Sequence, residues 1–233
     1  MADETHEALD GRVHGDVIAH IVEQGHAPDV ATLAARLGES ERAVTDSLRR
    51  LHDGHGLVLH PGSETRIWVV HPFALTPTTF WVEKEGRGWW GNCAWCSLGI
   101  AALLGGTVTI RTRAGGERDD LVIRVEDGRV EPANLVVHFS RPVARAWENV
   151  HYYCATVLAF NSEAEVGPWC ERRGIDRGQV VPIQQVWDLA RAWYGGHLRP
   201  DWRKWTAAEA AEVFRGAGFV GPFWSIPGGD ERF

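Results

Sequence analysis

The stretch Cys93–Ile110, CAWCSLGIAALLGGTVTI, joins an apolar run without proline to a β-branched segment through two glycines. This pattern predicts a helix over residues 92–104, with Asn92 as its N-cap and Gly105 as its stop, followed by a strand. Cys93 and Cys96 then lie on one face of the first turn, where unpaired backbone N–H groups and the helix dipole favour a thiolate. The stretch therefore predicts activated thiols at the start of a buried helix.

The composition limits the class of protein. A chain of 233 residues with 44% hydrophobic residues can bury a full core, and its net charge of -7 argues against extensive contact with nucleic-acid phosphates. Four cysteines are too few for a disulfide scaffold, so clustered cysteines indicate catalysis or metal binding. The start MADETHEALDG is too acidic for a secretory signal, and no apolar run is long enough to span a membrane. We expect a cytoplasmic protein without membrane contact.

Residues 1–75 are predicted to form a winged-helix-like N-terminal domain. Three helical segments, GRVHGDVIAHIVEQG, VATLAARLG and SERAVTDSLRRLHDG, precede two strand-like pieces, GLVLH and RIWVVH, that are joined by PGSE. Such a unit can bind DNA through its third helix, here with Arg42, Arg49 and Arg50. Residues 1–60 nevertheless hold five Arg and no Lys against eleven Asp and Glu, an excess that repels a duplex. A structural or substrate-covering role is favoured over DNA binding.

Residues 76–233 are predicted to form an α+β domain with a mixed, mainly antiparallel sheet and flanking helices. The segments TVTIRTR, DDLVIRVEDGRV, NLVVHFS and HYYCATVLAF are strand-like, and Asp127-Gly128 suits a hairpin turn. Ser162 with Glu165, and Thr206 with Glu209, predict capping boxes at the starts of two helices. A further helix is expected around residues 183–194. The fold class is therefore α+β, with the cysteines in the second domain.

Two stretches resemble the bacterial alkylmercury (organomercurial) lyases. CAWCSLGIAALLGGTVTI is similar to their active-site helix, where Cys-Ala-x-Asp-x-Leu precedes an apolar helix and a Gly-x-Thr turn. WENVHYYCATVLAFNSEAEVGPWCERRG resembles their second cysteine strand, followed by Phe-x-Ser and a Trp-containing helix. The resemblance runs from Trp89 to about Tyr194 and extends to the winged-helix-like unit. It implies the lyase fold.

The resemblance also implies roles for three cysteines. Cys93 and Cys154 match the two thiolates that capture the mercury of an organomercurial, a soft ion that prefers sulfur. A carboxylic acid then manages the proton that cleaves the carbon–mercury bond, and Cys96 stands at its position. The implied reaction needs no cofactor, gives hydrocarbon and Hg(II), and involves cellular thiols as partners. Cys93, Cys96 and Cys154 are thus the candidate catalytic and metal-binding residues.

Three interpretations of these cysteines remain open. In the first, Cys96 replaces the acid of a carbon–mercury lyase, with help from Glu148 or His151. In the second, the protein binds Hg(II), Cu(I) or Zn(II) through three thiolates without catalysis, with regulation through the winged helix. A CxxC followed by HxxC supports it weakly, because residues i and i+3 of a strand point to opposite faces. In the third, Cys93 and Cys96 form a redox dithiol, although the thioredoxin-like βαβ context is missing.

Other conspicuous residues have simpler interpretations. Cys170 is expected in the core, because free cysteine is commonly buried. Three tryptophans are also expected to pack in the core, namely Trp89, Trp90 and Trp95. Five polar residues are expected to be exposed to solvent, namely His52, His55, His60, Asp188 and Arg191.

Overall fold

The structure, a computed structural model, describes residues 2–117, 119–199 and 202–227. Its α-helices are α1 (Ala2–Gln24), α2 (Val30–Leu37), α3 (Glu41–Asp53), α4 (Ala94–Leu104), α5 (Val150–Thr156), α6 (Glu163–Arg173), α7 (Ile183–Tyr194) and α8 (Ala207–Gly216). Its strands are β1 (Val58–Leu59), β2 (Ile67–Val70), β3 (Phe73–Ala74), β4 (Phe80–Lys84), β5 (Arg87–Gly91), β6 (Val108–Arg113), β7 (Asp120–Glu126), β8 (Arg129–Glu131), β9 (Val136–Phe139), β10 (Leu158–Phe160) and β11 (Gln179–Pro182). No helix in these ranges is both long and apolar enough to cross a membrane.

The strands form one large and one small sheet. The large sheet has the order β1-β2-β3-β5-β4-β6-β7-β8, and the small one has the order β10-β9-β11. Every pairing between these strands is antiparallel. The fold is thus α+β, as the sequence predicts.

Helices α2 and α3 are bounded by capping residues, whereas α1 begins at Ala2 and so extends further toward the N-terminus than the predicted segment. Asp29 and Ser40 accept backbone N–H groups at the starts of α2 and α3, and Gly38 ends α2 in the left-handed conformation. Strands β1 and β2 pair next to these helices and continue through β3 into the large sheet. The arginines of α3 pair with acidic residues: Arg50 with Asp10 at 2.6 Å and Arg49 with Asp46 at 3.1 Å.

Helix α4 lies inside the molecule and packs against α7. Its residues from Ala94 to Ala101 are all buried. The two helices meet closely at Gly99, where an added Cβ would lie 2.3 Å from a ring carbon of Tyr194. Glycine at this position therefore lets the Tyr194 ring approach the cysteine-bearing turn of α4.

Several local predictions need correction. Cys154 lies in helix α5, where the Asn149 side chain accepts the N–H of Tyr152 at 2.9 Å, and only residues 158–160 of the predicted strand pair in a sheet. The segment is rich in residues that favour strands, but strand propensity depends on context, and the segment begins a helix at the Asn149 cap. Ser162 makes no side-chain cap bond, whereas the Thr206–Glu209 capping box is present. The N-cap of α4 is Cys93 rather than Asn92.

Candidate active site

Three cysteines meet at the start of α4. Cys93 caps this helix and its Sγ accepts the backbone N–H of Cys96 at 3.4 Å. Ala94 donates its N–H to the carbonyl of Val157 at 3.0 Å, which joins α4 to the end of α5 and brings Cys154 beside the other two. All three thiols are buried and free of disulfides. The fold therefore assembles the three sulfurs that the resemblance singled out.

Cys93 is the thiolate of the group. Burial opposes its ionisation, but hydrogen bonds from the thiols of Cys154 and Cys96, together with the Cys96 backbone N–H, hold the pKa of Cys93 well below its usual range. A thiolate at this position can attack a soft metal at neutral pH.

Cys96 and Cys154 keep their protons. Burial raises the pKa of Cys96 well above its usual range, and the neighbouring Cys93 thiolate adds to the effect. Hydrogen bonding to Cys93 and Cys96, with burial, raises the pKa of Cys154 in the same direction. The Tyr194 hydroxyl lies 3.6 Å from Cys96 Sγ and fixes its position. The site therefore combines one nucleophilic thiolate with two thiols that can donate protons.

His71 is a fourth potential ligand, from the turn between β2 and β3. Its Nε2 lies 3.7 Å from Cys154 Sγ and 3.1 Å from Asn92 Nδ2. Because an amide nitrogen donates, Nε2 is an acceptor here, and burial lowers the pKa of His71 to about 4. The ligand atoms of His71, Cys96 and Cys154 all lie within 4.8 Å of one another. A neutral imidazole thus faces the sulfurs.

A pocket of about 740 Å³, including its space open to solvent, lies over the cysteines. Its walls are mostly aromatic, formed by Trp95, Trp147, Tyr153, Trp193, Tyr194, Trp202 and Trp205, with His14, His55 and His197 beside them. Within the described residues, the Trp95 indole N–H and the Tyr153 hydroxyl are buried without a hydrogen-bond partner. Such a pocket suits a small apolar molecule that has a reactive centre at the sulfurs.

The other residues considered for the site from the sequence do not line this pocket, although His151 lines a second pocket together with Cys154. Glu148 is bound to Arg145 at 2.7 Å, and His151 stacks on Trp68. Cys170 is buried beside His138. The sequence reasoning missed His71 and Tyr194, which no motif separates from the other histidines and aromatic residues of the chain.

The buried and exposed residues are mostly as expected. Trp89 and Trp95 are buried, the latter in the pocket wall, and Trp90 is half-buried against Trp81. His55 differs from expectation: it lines the pocket and stacks on Trp147.

Comparisons with known proteins bear on the family and the fold of the chain. The family model described as alkylmercury lyase matches residues 73–195. An alkylmercury lyase of Staphylococcus epidermidis (strain ATCC 12228 / FDA PCI 1200) is 26% identical over 175 residues, covering 72% of this chain and 75% of that protein. The crystal structure of the mercury-bound form of MerB2 is similar in fold, with a TM-score of 0.59 and 18% identity over 80% of this chain and 89% of that one.

Proposed function

This chain belongs to the alkylmercury lyase family, and from that premise we propose that it cleaves the carbon–mercury bond of organomercurials at Cys93, Cys96 and Cys154. The proposal rests on three cysteines that meet in an aromatic pocket and differ in pKa. The pKa of Cys93 is lowered, which favours a thiolate, whereas the pKa values of Cys96 and Cys154 are raised, which favours protonated thiols. Capture of a soft metal needs the thiolate, and cleavage needs a proton donor within reach of the carbon. The pocket holds both.

The first step is capture of the substrate, which arrives as an organomercury adduct of a cellular thiol. The Cys93 thiolate attacks mercury, and Cys154 follows as second ligand while its proton passes to the departing cellular thiolate. The products of this step are an organomercury bis-thiolate and a free cellular thiol. Charge is conserved, because only Cys93 was ionised at the start.

The second step is protonolysis by Cys96. Its proton moves to the carbon attached to mercury, the new C–H bond replaces the C–Hg bond, and hydrocarbon leaves. The Cys96 thiolate remains beside Hg(II), which two cellular thiols then remove by exchange. Tyr194, 3.6 Å from Cys96 Sγ, holds the donor in place through the transfer. The steps require the cysteines, the substrate and cellular thiols, which fits a reducing cytoplasm.

We propose that the N-terminal unit, residues 1–75, covers this pocket rather than binding DNA. His14, His55 and His71 contribute to the pocket lining from that part of the chain. Arg49 and Arg50 of α3 pair with acidic residues, which leaves Arg42, with a side chain that is 92% exposed, as the most accessible positive charge of this helix.

The test is hydrocarbon release from methylmercury or phenylmercury by reduced, metal-free protein in excess thiol, followed by gas chromatography. Cys93→Ala and Cys154→Ala should abolish turnover. Cys96→Ala should slow it by about 10²- to 10⁴-fold, the usual contribution of a positioned proton donor, whereas Cys96→Asp should restore cleavage. Cys170→Ala, a buried cysteine outside the pocket, is the matched control and should keep wild-type turnover.

Tight binding of mercury without hydrocarbon release would contradict the lyase reaction. It would instead favour a non-catalytic binding protein for Hg(II), Cu(I) or Zn(II), in which three sulfurs hold the ion too firmly for exchange. Cleavage that survives Cys93→Ala would contradict the role of the thiolate.

A further inference from the structure

We propose that the same pocket binds Zn(II) in the absence of organomercurial, through Cys96, Cys154 and His71, with Cys93 as the fourth donor. Imidazole from His71 makes this ligand set different from the three sulfurs proposed for mercury. The inference goes beyond the lyase reaction and can hold whether or not the chain cleaves carbon–mercury bonds.

The distances suit a tetrahedral ion after a small contraction. The ligand atoms of His71, Cys96 and Cys154 lie within 4.8 Å of one another. With Zn–S bonds of about 2.3 Å and Zn–N bonds of about 2.0 Å, donors around one tetrahedral zinc lie roughly 3.5 to 3.8 Å apart. A shift of about 1 Å or less for each side chain therefore closes the site, and side-chain rotation can supply this movement.

Cys93 is not in the group whose ligand atoms all lie within 4.8 Å of one another, so it joins the set through a larger movement than the other three donors. Its sulfur is hydrogen-bonded to the thiols of both Cys96 and Cys154. Three sulfurs and one imidazole form a Cys₃His set, one of the ligand sets that hold structural zinc in proteins. The donors come from the start of α4, from α5 and from the turn before β3, which are three separately anchored elements.

His71 is oriented for coordination by a hydrogen bond from its neighbour. The Asn92 amide nitrogen lies 3.1 Å from His71 Nε2 and keeps this ring atom toward Cys154 Sγ, 3.7 Å away. A metal ion between the sulfurs and Nε2 would take the place of that hydrogen bond. Before binding, the hydrogen bond keeps the Nε2 lone pair on the side of the sulfurs, and the metal competes with the Asn92 N–H for that lone pair.

The choice of ion follows from the mixed donors. Zn(II) accepts imidazole and thiolate equally well, whereas mercury is a softer ion that thiolates satisfy alone. Loss of His71 should therefore weaken zinc binding and leave mercury capture by the thiolates intact. Bound zinc would occupy the thiolates that attack mercury, so it should inhibit cleavage in competition with substrate.

The experiment is an anaerobic titration of reduced, metal-free protein with Co(II), a spectroscopic substitute for Zn(II), without organomercurial. We expect one equivalent to give intense thiolate-to-cobalt charge-transfer absorption and the strong visible bands of a tetrahedral ion, which Zn(II) then displaces. His71→Gln keeps side-chain bulk and a partner for Asn92 but removes the imidazole. It should weaken Co(II) binding by at least about tenfold. The loss of a ligand should lower metal affinity at least as much as the loss of a residue that is hydrogen-bonded to a ligand.

Two further variants keep the result decisive. His20→Gln removes a buried histidine that lies outside the pocket and outside the ligand group, and it should leave Co(II) affinity unchanged. Cys96→Ser should remove one thiolate and lower the charge-transfer intensity, which serves as a second test if His71→Gln fails to fold. An octahedral spectrum without charge-transfer absorption, or equal affinity of wild type and His71→Gln, would overturn the proposal. Neither result depends on hydrocarbon release, so failure of the zinc site and failure of the lyase reaction are distinguishable.

Discussion

The contact between Gly99 and Tyr194 gives a quantitative test of how the cysteine helix is packed. A Cβ at residue 99 would lie 2.3 Å from one carbon of the Tyr194 ring and 2.8 and 2.9 Å from two others, whereas ordinary contact begins at 3.4 Å. The overlap is therefore about 1 Å. The ring cannot easily move away, because it is buried and packs against Trp95 and His197. Overpacking of this kind costs about 1–3 kcal/mol.

Gly99→Ala also gains helix propensity of about 0.5–1 kcal/mol, which a matched variant can remove from the comparison. Gly15, within helix α1, has open space where a Cβ would lie, so Gly15→Ala has the propensity gain alone. The difference in free energy of unfolding between the two variants should equal the overpacking cost, about 1–3 kcal/mol. Urea unfolding followed by tryptophan fluorescence measures it. Equal stability of the two variants would refute the close packing of α4 on Tyr194.

Three further predictions concern ionisation and capping. The low pKa of Cys93 predicts that iodoacetamide alkylation of wild type persists well below pH 9.0 and is lost in Cys93→Ser; a wild-type rate that rises with pH like an ordinary thiol would count against the thiolate. Burial lowers the pKa of His71 to about 4 from 6.5, so the unfolded chain takes up protons first. The contribution of His71 to the free energy of unfolding should be constant above pH 6.5 and should decrease as the pH falls toward 4. The free energy of unfolding should therefore fall less steeply in His71→Gln than in wild type. Thr206→Ala should lower thermal stability by about 0.5–2 kcal/mol through loss of its capping box, and an unchanged melting temperature would argue against that cap.

Periodicity and caps predicted much of the fold correctly. Helix α7 spans Ile183–Tyr194, the range expected from its pattern, and the Asp127-Gly128 turn joins β7 and β8 with positive φ at both residues. These features depend on neighbouring residues only. Sequence alone can specify them because the turn chemistry and the apolar face are local properties.

The active site depended on contacts between distant residues, which sequence patterns do not reveal. Cys93 and Cys96 are adjacent on one helix turn, but Cys154 joins them only because α5 ends beside the start of α4. The resemblance supplied this convergence, although it placed Cys154 on a strand. His71 reaches the sulfurs through the continuous pairing of β2, β3 and β5, and one histidine among eleven carries no local sign of that position.

The replacement of a carboxylic acid by Cys96 changes the balance between capture and release. A carboxylic acid would leave two sulfurs on the product ion, whereas Cys96 adds a third once it has given up its proton. The buried thiol resists ionisation until then, because burial and the nearby Cys93 thiolate raise the pKa of Cys96. The same resistance should make proton transfer to carbon favourable only after mercury has neutralised the Cys93 charge. Cleavage and trapping are thus successive states of one site, and exchange with cellular thiols decides how long the second state lasts.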